Sequence, residues 1–225
     1  MISIVMPVLD EAPILAGALA ALAPLAASGA ELLVVDGGSR DGSREIAAGQ
    51  GCRVVTAPRG RASQMNAGAA AARGDALVFL HADTRLPDGA LAAIGAALEG
   101  NAWGRFDVCI AGADPRLALV AAMMNLRSRL TGIATGDQAI FVRRGAFERA
   151  GGFPPIPLME DVALSQALKR LGPPACLRER VTTSARRWEK HGTLRTVFLM
   201  WRLRAAYATG ADPRALARAY DSRDA

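Results

Sequence analysis

Carboxylates placed where apolar runs end are the residues of this chain best suited to chemistry. The stretch VFLHADTRLP, residues 78–87, has a buried-strand pattern that stops at His81, Ala82 and Asp83, just where the chain turns. Two further runs end the same way. MPVLDEA delivers Asp10 and Glu11, and ELLVVDGGSRDGS delivers Asp36 and Asp41. Ionised carboxylates only accept, so a group of them at strand ends takes hydrogen-bond donors or cations. Open parallel sheets bind ligands beyond the carboxyl ends of their strands, and three acidic ends are expected on that one edge. For Asp36 both a ligand role and turn chemistry stand, because Asp-Gly-Gly-Ser is a good turn; Asp41 reads as the cap of the following helix.

The elements that must position these groups alternate. ISIVMPV is followed by a helix over 13–27, ELLVVD by one over 41–49, CRVVTA by one over 62–73 and DALVFLH by one over 87–98. Apolar strands joined by helices imply an α/β fold with a mostly parallel central sheet flanked by helices on both faces. After residue 100 the rhythm fades. WGRFDVCI and QAIFVRR read as strands on either side of a helix over 115–130, GGFPPIPLMED as a loop, with a helix from Asp161, a strand over 175–181 and a helix over 194–209.

The composition of 225 residues, 51% hydrophobic and 21% charged, is that of an ordinary globular protein with a sizeable core. The 27 Lys+Arg against 21 Asp+Glu give +6, nearly all of it arginine. That surplus suits phosphates or carboxylates, and an arginine-rich proteome produces it equally. Cys52, Cys109 and Cys176 are far apart and odd in number, so neither a disulfide framework nor a metal knuckle is indicated, as in a cytoplasmic protein. MISIVMPVLDEAP lacks the basic start of a signal peptide, and the alanine-rich segment from Leu15 is too short to span a bilayer. A dinucleotide fold needs glycines directly after the first strand, where this chain has PVLDEAP. No GxxxxGK[ST] loop is present either.

MPVLDEA, VVDGGSRDGS, GRASQMNAGAAAARGDALVFLHADT, GGFPPIPLMED and SARRW occur in the order of the motifs of family 2 glycosyltransferases of the GT-A fold, which this chain resembles from its first strand to Trp188. NLRSRLTGIATGDQAIFVRR, PLMED and TSARRWEKHG resemble more closely the bacterial subgroup of arsenosugar-biosynthesis glycosyltransferases. The resemblance implies a single GT-A domain over 1–225, with a nucleotide-sugar-binding half at 1–100, an acceptor and catalytic half at 101–190 and a C-terminal helical segment at 191–225.

It also implies roles. Asp83 matches the last carboxylate of the family's Asp-x-Asp element and would hold a divalent metal, Mn or Mg, with help from phosphate oxygens and water. His81 replaces the first aspartate, either contacting ribose or phosphate or serving as a satisfied polar residue. Asp36 matches the acceptor for the nucleobase. Glu11 sits near base or ribose, or is an exposed first-turn carboxylate. Arg61 and Gln64, one helical turn apart, match the segment lining the nucleotide pocket, or face solvent. Glu160 and Asp161 match the catalytic pair, Asp161 as general base or, in the bland alternative, a helix N-cap. Arg187 and Trp188 match the element beside the departing diphosphate and a sugar ring, with a surface arginine and a core tryptophan as the alternative. Asp137 and Gln138 fall on the acceptor side.

The expected protein is an inverting glycosyltransferase taking a nucleoside-diphosphate sugar and a small-molecule or lipid-linked acceptor, with no nucleic-acid partner and with a homodimer left open. The alternative is a non-catalytic sugar-nucleotide-binding or scaffold protein that kept the fold. In LRTVFLMWRLRAAYATG, Leu194, Val197, Phe198, Trp201 and Ala205 share one helical face, with Arg195, Arg202 and Arg204 off it. That face is expected to dock on the sheet or on a second subunit, in preference to an anionic membrane.

Overall fold

The computed structural model of the chain describes residues 1–221. Strand and helix alternate through the first half: β1 (Ile2–Val8), α1 (Ala12–Ala27), β2 (Glu31–Asp36), α2 (Ser43–Gly49), β3 (Arg53–Thr56), α3 (Arg61–Ala71) and β4 (Ala76–Phe79). β1 is buried along most of its length and β4 throughout, as strands covered by helices on both faces must be. Pro13 falls in the first turn of α1, where a missing N–H breaks no helical bond.

The rest comprises β5 (Thr84–Arg85), α4 (Ala90–Gly100), β6 (Trp103–Ala111), α5 (Arg116–Thr131), a 3-10 turn (Gly136–Gln138), β7 (Phe141–Arg143), α6 (Arg144–Arg149), α7 (Glu160–Lys169), β8 (Ala175–Ser184), α8 (Arg186–His191), α9 (Thr193–Ala208) and α10 (Pro213–Asp221). The strand expected from QAIFVRR shrinks to three residues, because the 3-10 turn takes its start and α6 its end. β5, α6 and α8 were not anticipated, being too short to show a period in sequence, and neither was α10.

The eight described strands form one sheet in the order β3-β2-β1-β4-β7-β6-β8-β5. β1 to β4 run parallel, as do β6 and β8, while β7 and β5 are antiparallel to their neighbours. The sheet is therefore mostly parallel, as expected. β2 and β3 lie on one side of β1 and β4 on the other, so connections diverge from the carboxyl end of β1 and leave a crevice there. Val8 pairs with Asp36 and Val5 with Phe79, which sets the acidic ends at similar heights.

Alternation along the strands divides the core. Ile4, Met6, Val8, Val34 and Val78 pack with α1, α4 and α5, whereas Val5, Leu33, Val35, Leu77 and Phe79 pack with α3, α6 and α7. A third cluster joins Leu158, Met159 and Val162 to Leu199 and Leu203 of α9 and Leu216 of α10. Here the expectation for the C-terminal helix is corrected. α9 docks through Thr193, Thr196, Leu199 and Leu203, while Leu194, Phe198 and Trp201 are 56%, 65% and 55% exposed. The threonines tolerate burial because their hydroxyls are satisfied: Thr193 donates to Asp114, and Thr196 to the Gly192 carbonyl at 2.8 Å. On the adjoining α5, Leu119, Met123, Leu126 and Leu130 are exposed too. No described helix is long and apolar enough to cross a membrane.

α3 approaches the sheet through Gly68, where a Cβ would stand 2.3 Å from Val5 Cγ1 and 2.8 Å from Val35 Cγ2. Gly68→Ala is expected to destabilise the protein by about 1–3 kcal/mol, as overpacking does. Gly17 in α1 has nothing within 4 Å of the same position. Gly17→Ala should stabilise by about 0.5–1 kcal/mol through helix propensity alone. Urea denaturation of both variants checks this, and two changes of the same sign would contradict the packing.

Candidate active site

Short polar side chains stitch together the loops after β1 and β2. Asp10 N donates to Ser39 Oγ at 3.0 Å, and Asp10 Oδ1 accepts from Arg40 N at 2.8 Å. Glu11 N donates to Ser43 Oγ at 3.0 Å and Ala12 N to Asp41 Oδ2 at 2.8 Å. Asp41 also accepts from Ser43 N at 3.0 Å and Ser43 Oγ at 2.6 Å, so it ties the first turn of α2 to the start of α1. Asp36 is 3% exposed and accepts from Gly38 N at 3.2 Å and Ser39 N at 3.0 Å. Burial pushes its pKa up, but the hydrogen bonds from Ser39 and Gly38 and the charge of Arg44 outweigh that and hold it below its ordinary value. Each of its oxygens has a second lone pair, so the turn does not use up the carboxylate.

Glu11 and Asp83 meet through one arginine. Arg186 Nη1 lies 3.1 Å from Glu11 Oε2, Nη2 lies 3.4 Å from Glu11 Oε1, and Nη2 lies 3.3 Å from Asp83 Oδ2. Asp83 Oδ1 accepts from the Thr84 hydroxyl at 3.4 Å. Among the described residues, no three His, Cys, Asp or Glu side chains are grouped to hold a metal ion. Asp83 alone fits a hard cation that draws its remaining oxygens from a ligand and from water.

His81, two residues before Asp83, stands with Nδ1 3.5 Å from Asp137 Oδ1. The approach requires glycine at 136, since a Cβ there would lie 2.4 Å from His81 Cε1. Partial desolvation pushes Asp137 up, but the His81 hydrogen bond and the charges of His81, Arg61 and Arg187 outweigh it and hold the pKa low. Gly136 N in turn donates to Asp161 Oδ2 at 2.9 Å, and Val162 N to Asp161 Oδ1 at 2.7 Å. Contacts thus run from the Asp83 segment through His81, Asp137 and Gly136 to Asp161.

Asp161 is the second residue of α7 and is not its N-cap; that place belongs to Met159, whose φ of 68° is left-handed. Its neighbour Glu160 is 5% exposed, and burial together with the charge of Asp161 pushes the Glu160 pKa up to about 7, against the charges of Arg61 and His81. Arg61, exposed at the start of α3, lies within electrostatic reach of Tyr220, Glu160, Asp137 and Asp161.

Several expected residues have different roles. Gln64 does not line a pocket beside Arg61: it is 3% exposed, and Nε2 donates to the Val8 and Val35 carbonyls at 2.8 Å each, bracing the ends of β1 and β2. Gln138 is fully buried, its Oε1 accepting from Thr135 N at 3.2 Å in a capping box, which removes it from acceptor contact. Trp188 packs, half-buried, against the core beneath α1, α4 and α5, the packing alternative for that residue. Arg187 lies with its guanidinium 3.5 Å over the Tyr220 ring, so the arginine that reaches Asp83 is Arg186. Adjacent helical residues point about 100° apart, and sequence alone does not say which of the two faces the crevice. Arg127 of α5, Arg204 and Tyr207 of α9 were also missed, although all three act electrostatically on Asp161.

The sequence profile described as Glycosyl transferase family 2 matches residues 3–119. No curated protein matches the chain. Among solved structures, glucosyl-3-phosphoglycerate synthase from Mycobacterium tuberculosis, in complex with Mn2+, uridine diphosphate and glucosyl-3-phosphoglycerate, is similar with a TM-score of 0.59 and 23% identity, over 81% of this chain and 70% of that one. A mannosyltransferase from Pyrobaculum calidifontis in complex with GDP-Man and Mn2+ gives 0.66 and 17%, over 99% and 69%. TarS from S. aureus gives 0.65 and 15%, over 82% and 60%. The likeness establishes the fold, which is GT-A.

The raised Glu160 pKa has a consequence for stability. In the unfolded chain this carboxyl loses its proton near 4.5, in the folded chain near 7. Between those values the folded state holds the additional proton, so stability falls as pH rises through that window, with a slope of at most about 1.4 kcal/mol per pH unit. Glu160→Gln keeps the shape and does not titrate. Its stability relative to the parent should therefore rise from about pH 4.5 to above about pH 7. Chemical denaturation across that range checks it; a difference independent of pH would contradict the burial of a titrating Glu160.

Proposed function

The chain belongs to glycosyl transferase family 2, and from that premise we propose that it is a metal-dependent inverting transferase moving a sugar from a nucleoside-diphosphate donor to an acceptor hydroxyl, with Asp161 as general base. The observation that carries this reading is the run of contacts from the Asp83 segment through His81 and Asp137 to Asp161. It supports a donor side and a base held in one crevice at a fixed spacing. The structures of relatives with Mn2+ and uridine diphosphate, or with GDP-Man, support the donor class.

On this reading Asp36 and Glu11 bind the nucleoside, and Asp83 would hold a divalent cation that neutralises the diphosphate. Asp161 takes the acceptor proton as the acceptor oxygen bonds to the anomeric carbon. The bond from that carbon to the diphosphate oxygen breaks on the opposite face, its electrons leaving with the diphosphate, so the stereocentre inverts. Arg186 and Arg187 offset charge on the leaving group. A Glu160 that stays protonated near neutral pH spares Asp161 a second buried charge and leaves it free to accept the proton.

The acceptor is a small molecule or a lipid-linked one. Exposed Leu119, Met123, Leu126, Leu130, Leu194, Phe198 and Trp201 support the lipid-linked form. Exposed Arg195 and Arg202 of α9, with no carboxylate on that helix, suit an anionic surface. Kinship with the arsenosugar-biosynthesis subgroup rests on residues 125–144, 157–161 and 183–192 and assigns no acceptor. A cytoplasmic location belongs to the same proposal.

Asp161→Asn keeps size and most hydrogen bonding but cannot take a proton. Release of nucleoside diphosphate from the donor should fall by roughly 10²-fold or more, with donor affinity little changed. Full release activity in this variant would rule out Asp161 as the base.

A further inference from the structure

Two arginines on the neighbouring helices α5 and α9, Arg127 and Arg204, interact electrostatically with Asp161. Helix α5 is pinned to β6: Asn125 Nδ2 donates to Val108 O at 3.0 Å, Asn125 Oδ1 accepts from Val108 N at 2.8 Å, and Arg129 Nη2 lies 2.7 Å from Asp107 Oδ2. Between these anchors Arg127 is half-buried, and its Nη2 is fully enclosed without a hydrogen-bond partner. Arg204 reaches the same region from α9, also half-buried, and acts on Asp161 and Asp137. Neither arginine forms an ion pair with a carboxylate among the described residues.

The pair is electrostatically uncomfortable. Burial, then the charge of Arg204, pushes the Arg127 pKa down to about 10, with Arg105 adding to the repulsion and only Asp161 opposing it. Burial lowers Arg204 as well, against Asp161 and Asp137. Arg105 pairs with Asp107 through Nη1 while its Nε is enclosed without a partner among the described residues, and both oxygens of Asp161 accept from backbone N–H groups. An enclosed guanidinium donor with no partner, Arg127 Nη2, next to the like charge of Arg204, is satisfied by an oxyanion that brings both charge and acceptors.

We propose that Arg127 and Arg204 form an anion subsite for the acceptor, so that the molecule whose hydroxyl Asp161 deprotonates also carries a phosphate-type oxyanion. This rests on Asp161 as the base, because both arginines are placed by their electrostatic interaction with that residue. Arginine fits such a subsite, since its planar fork binds two phosphate oxygens at once and keeps its charge when partly desolvated. The oxyanion belongs either to a soluble phosphate ester or to a lipid headgroup.

The decisive experiment measures anion binding by calorimetry and thermal shift in the full chain, with saturating uridine or guanosine diphosphate and Mn2+ filling the donor side. Glycerol 3-phosphate is the soluble probe and phosphatidic acid in neutral-lipid vesicles the membrane probe. Whichever probe binds the more tightly identifies the source of the phosphate. Arg127→Met and Arg204→Met are each expected to weaken the preferred probe by roughly 10-fold or more, with nucleotide affinity unchanged. Without anion, Arg204→Met should melt no lower than the parent, because a like charge has been removed; a merely structural arginine would lower the midpoint. Probe affinity indifferent to both substitutions, or no binding of either probe, would overturn the subsite while leaving the transferase reading intact. Loss of nucleotide binding in the parent, with arginine-dependent phosphate binding retained, would instead sink the transferase reading and spare the subsite.

Discussion

Glu11, Asp83, Asp137 and Asp161 lie along one run of contacts, and supplying each of these carboxylates with a donor or a positive charge is the constraint that the surrounding structure answers. Arg186 bridges the first two. His81 and the charges of Arg61 and Arg187 act on Asp137, and backbone N–H groups of Gly136 and Val162 hold Asp161. Glu160, buried beside Asp161, keeps its proton up to about pH 7 despite the charges of Arg61 and His81. The chain's arginine excess is thus partly local, since Arg61, Arg186 and Arg187 act on the carboxylates of this crevice.

Holding that arrangement strains the backbone. Asp10, Ala139 and Met159 are the non-glycine residues with positive φ among those described, at 53°, 45° and 68°. Each such conformation costs on the order of 1–3 kcal/mol. All three adjoin the crevice: Asp10 precedes Glu11, Ala139 follows the capping box of Gln138, and Met159 precedes Glu160. Packing offsets the strain nearby. Met159 is buried with Leu158, Val162, Leu199 and Leu203, so α9, remote in sequence, fixes the direction in which α7 begins.

The half of the chain up to β4 was legible because its signals are long and redundant: apolar strands, alanine-rich helices and turn residues agree with one another. The acidic strand ends were legible for the same reason, since Asp83 and Glu11 needed only the strand boundaries to be placed. Beyond Gly100 single contacts decide the outcome. Even before it, Gln64 is expected in the nucleotide pocket because its segment matches the family's pocket-lining motif one turn from Arg61, yet two strand carbonyls take its amide. Arg186 and Arg187 differ by a rotation that no spacing encodes. The docking face of α9 was misjudged because hydropathy ranks threonine below phenylalanine, whereas Thr193 and Thr196 found partners and Phe198 found no cover.

The central claim is that the acidic strand ends bind a nucleoside diphosphate together with a divalent cation held by Asp83. Titration calorimetry of uridine and guanosine diphosphate, with Mn2+ and with chelator, against the parent and Asp83→Asn tests it directly. The account predicts binding in the parent that weakens by on the order of 10-fold or more when Mn2+ is removed, and in Asp83→Asn a weak affinity that Mn2+ no longer improves. Failure of both nucleotides to bind the parent, or an undiminished Mn2+ dependence in Asp83→Asn, would contradict it.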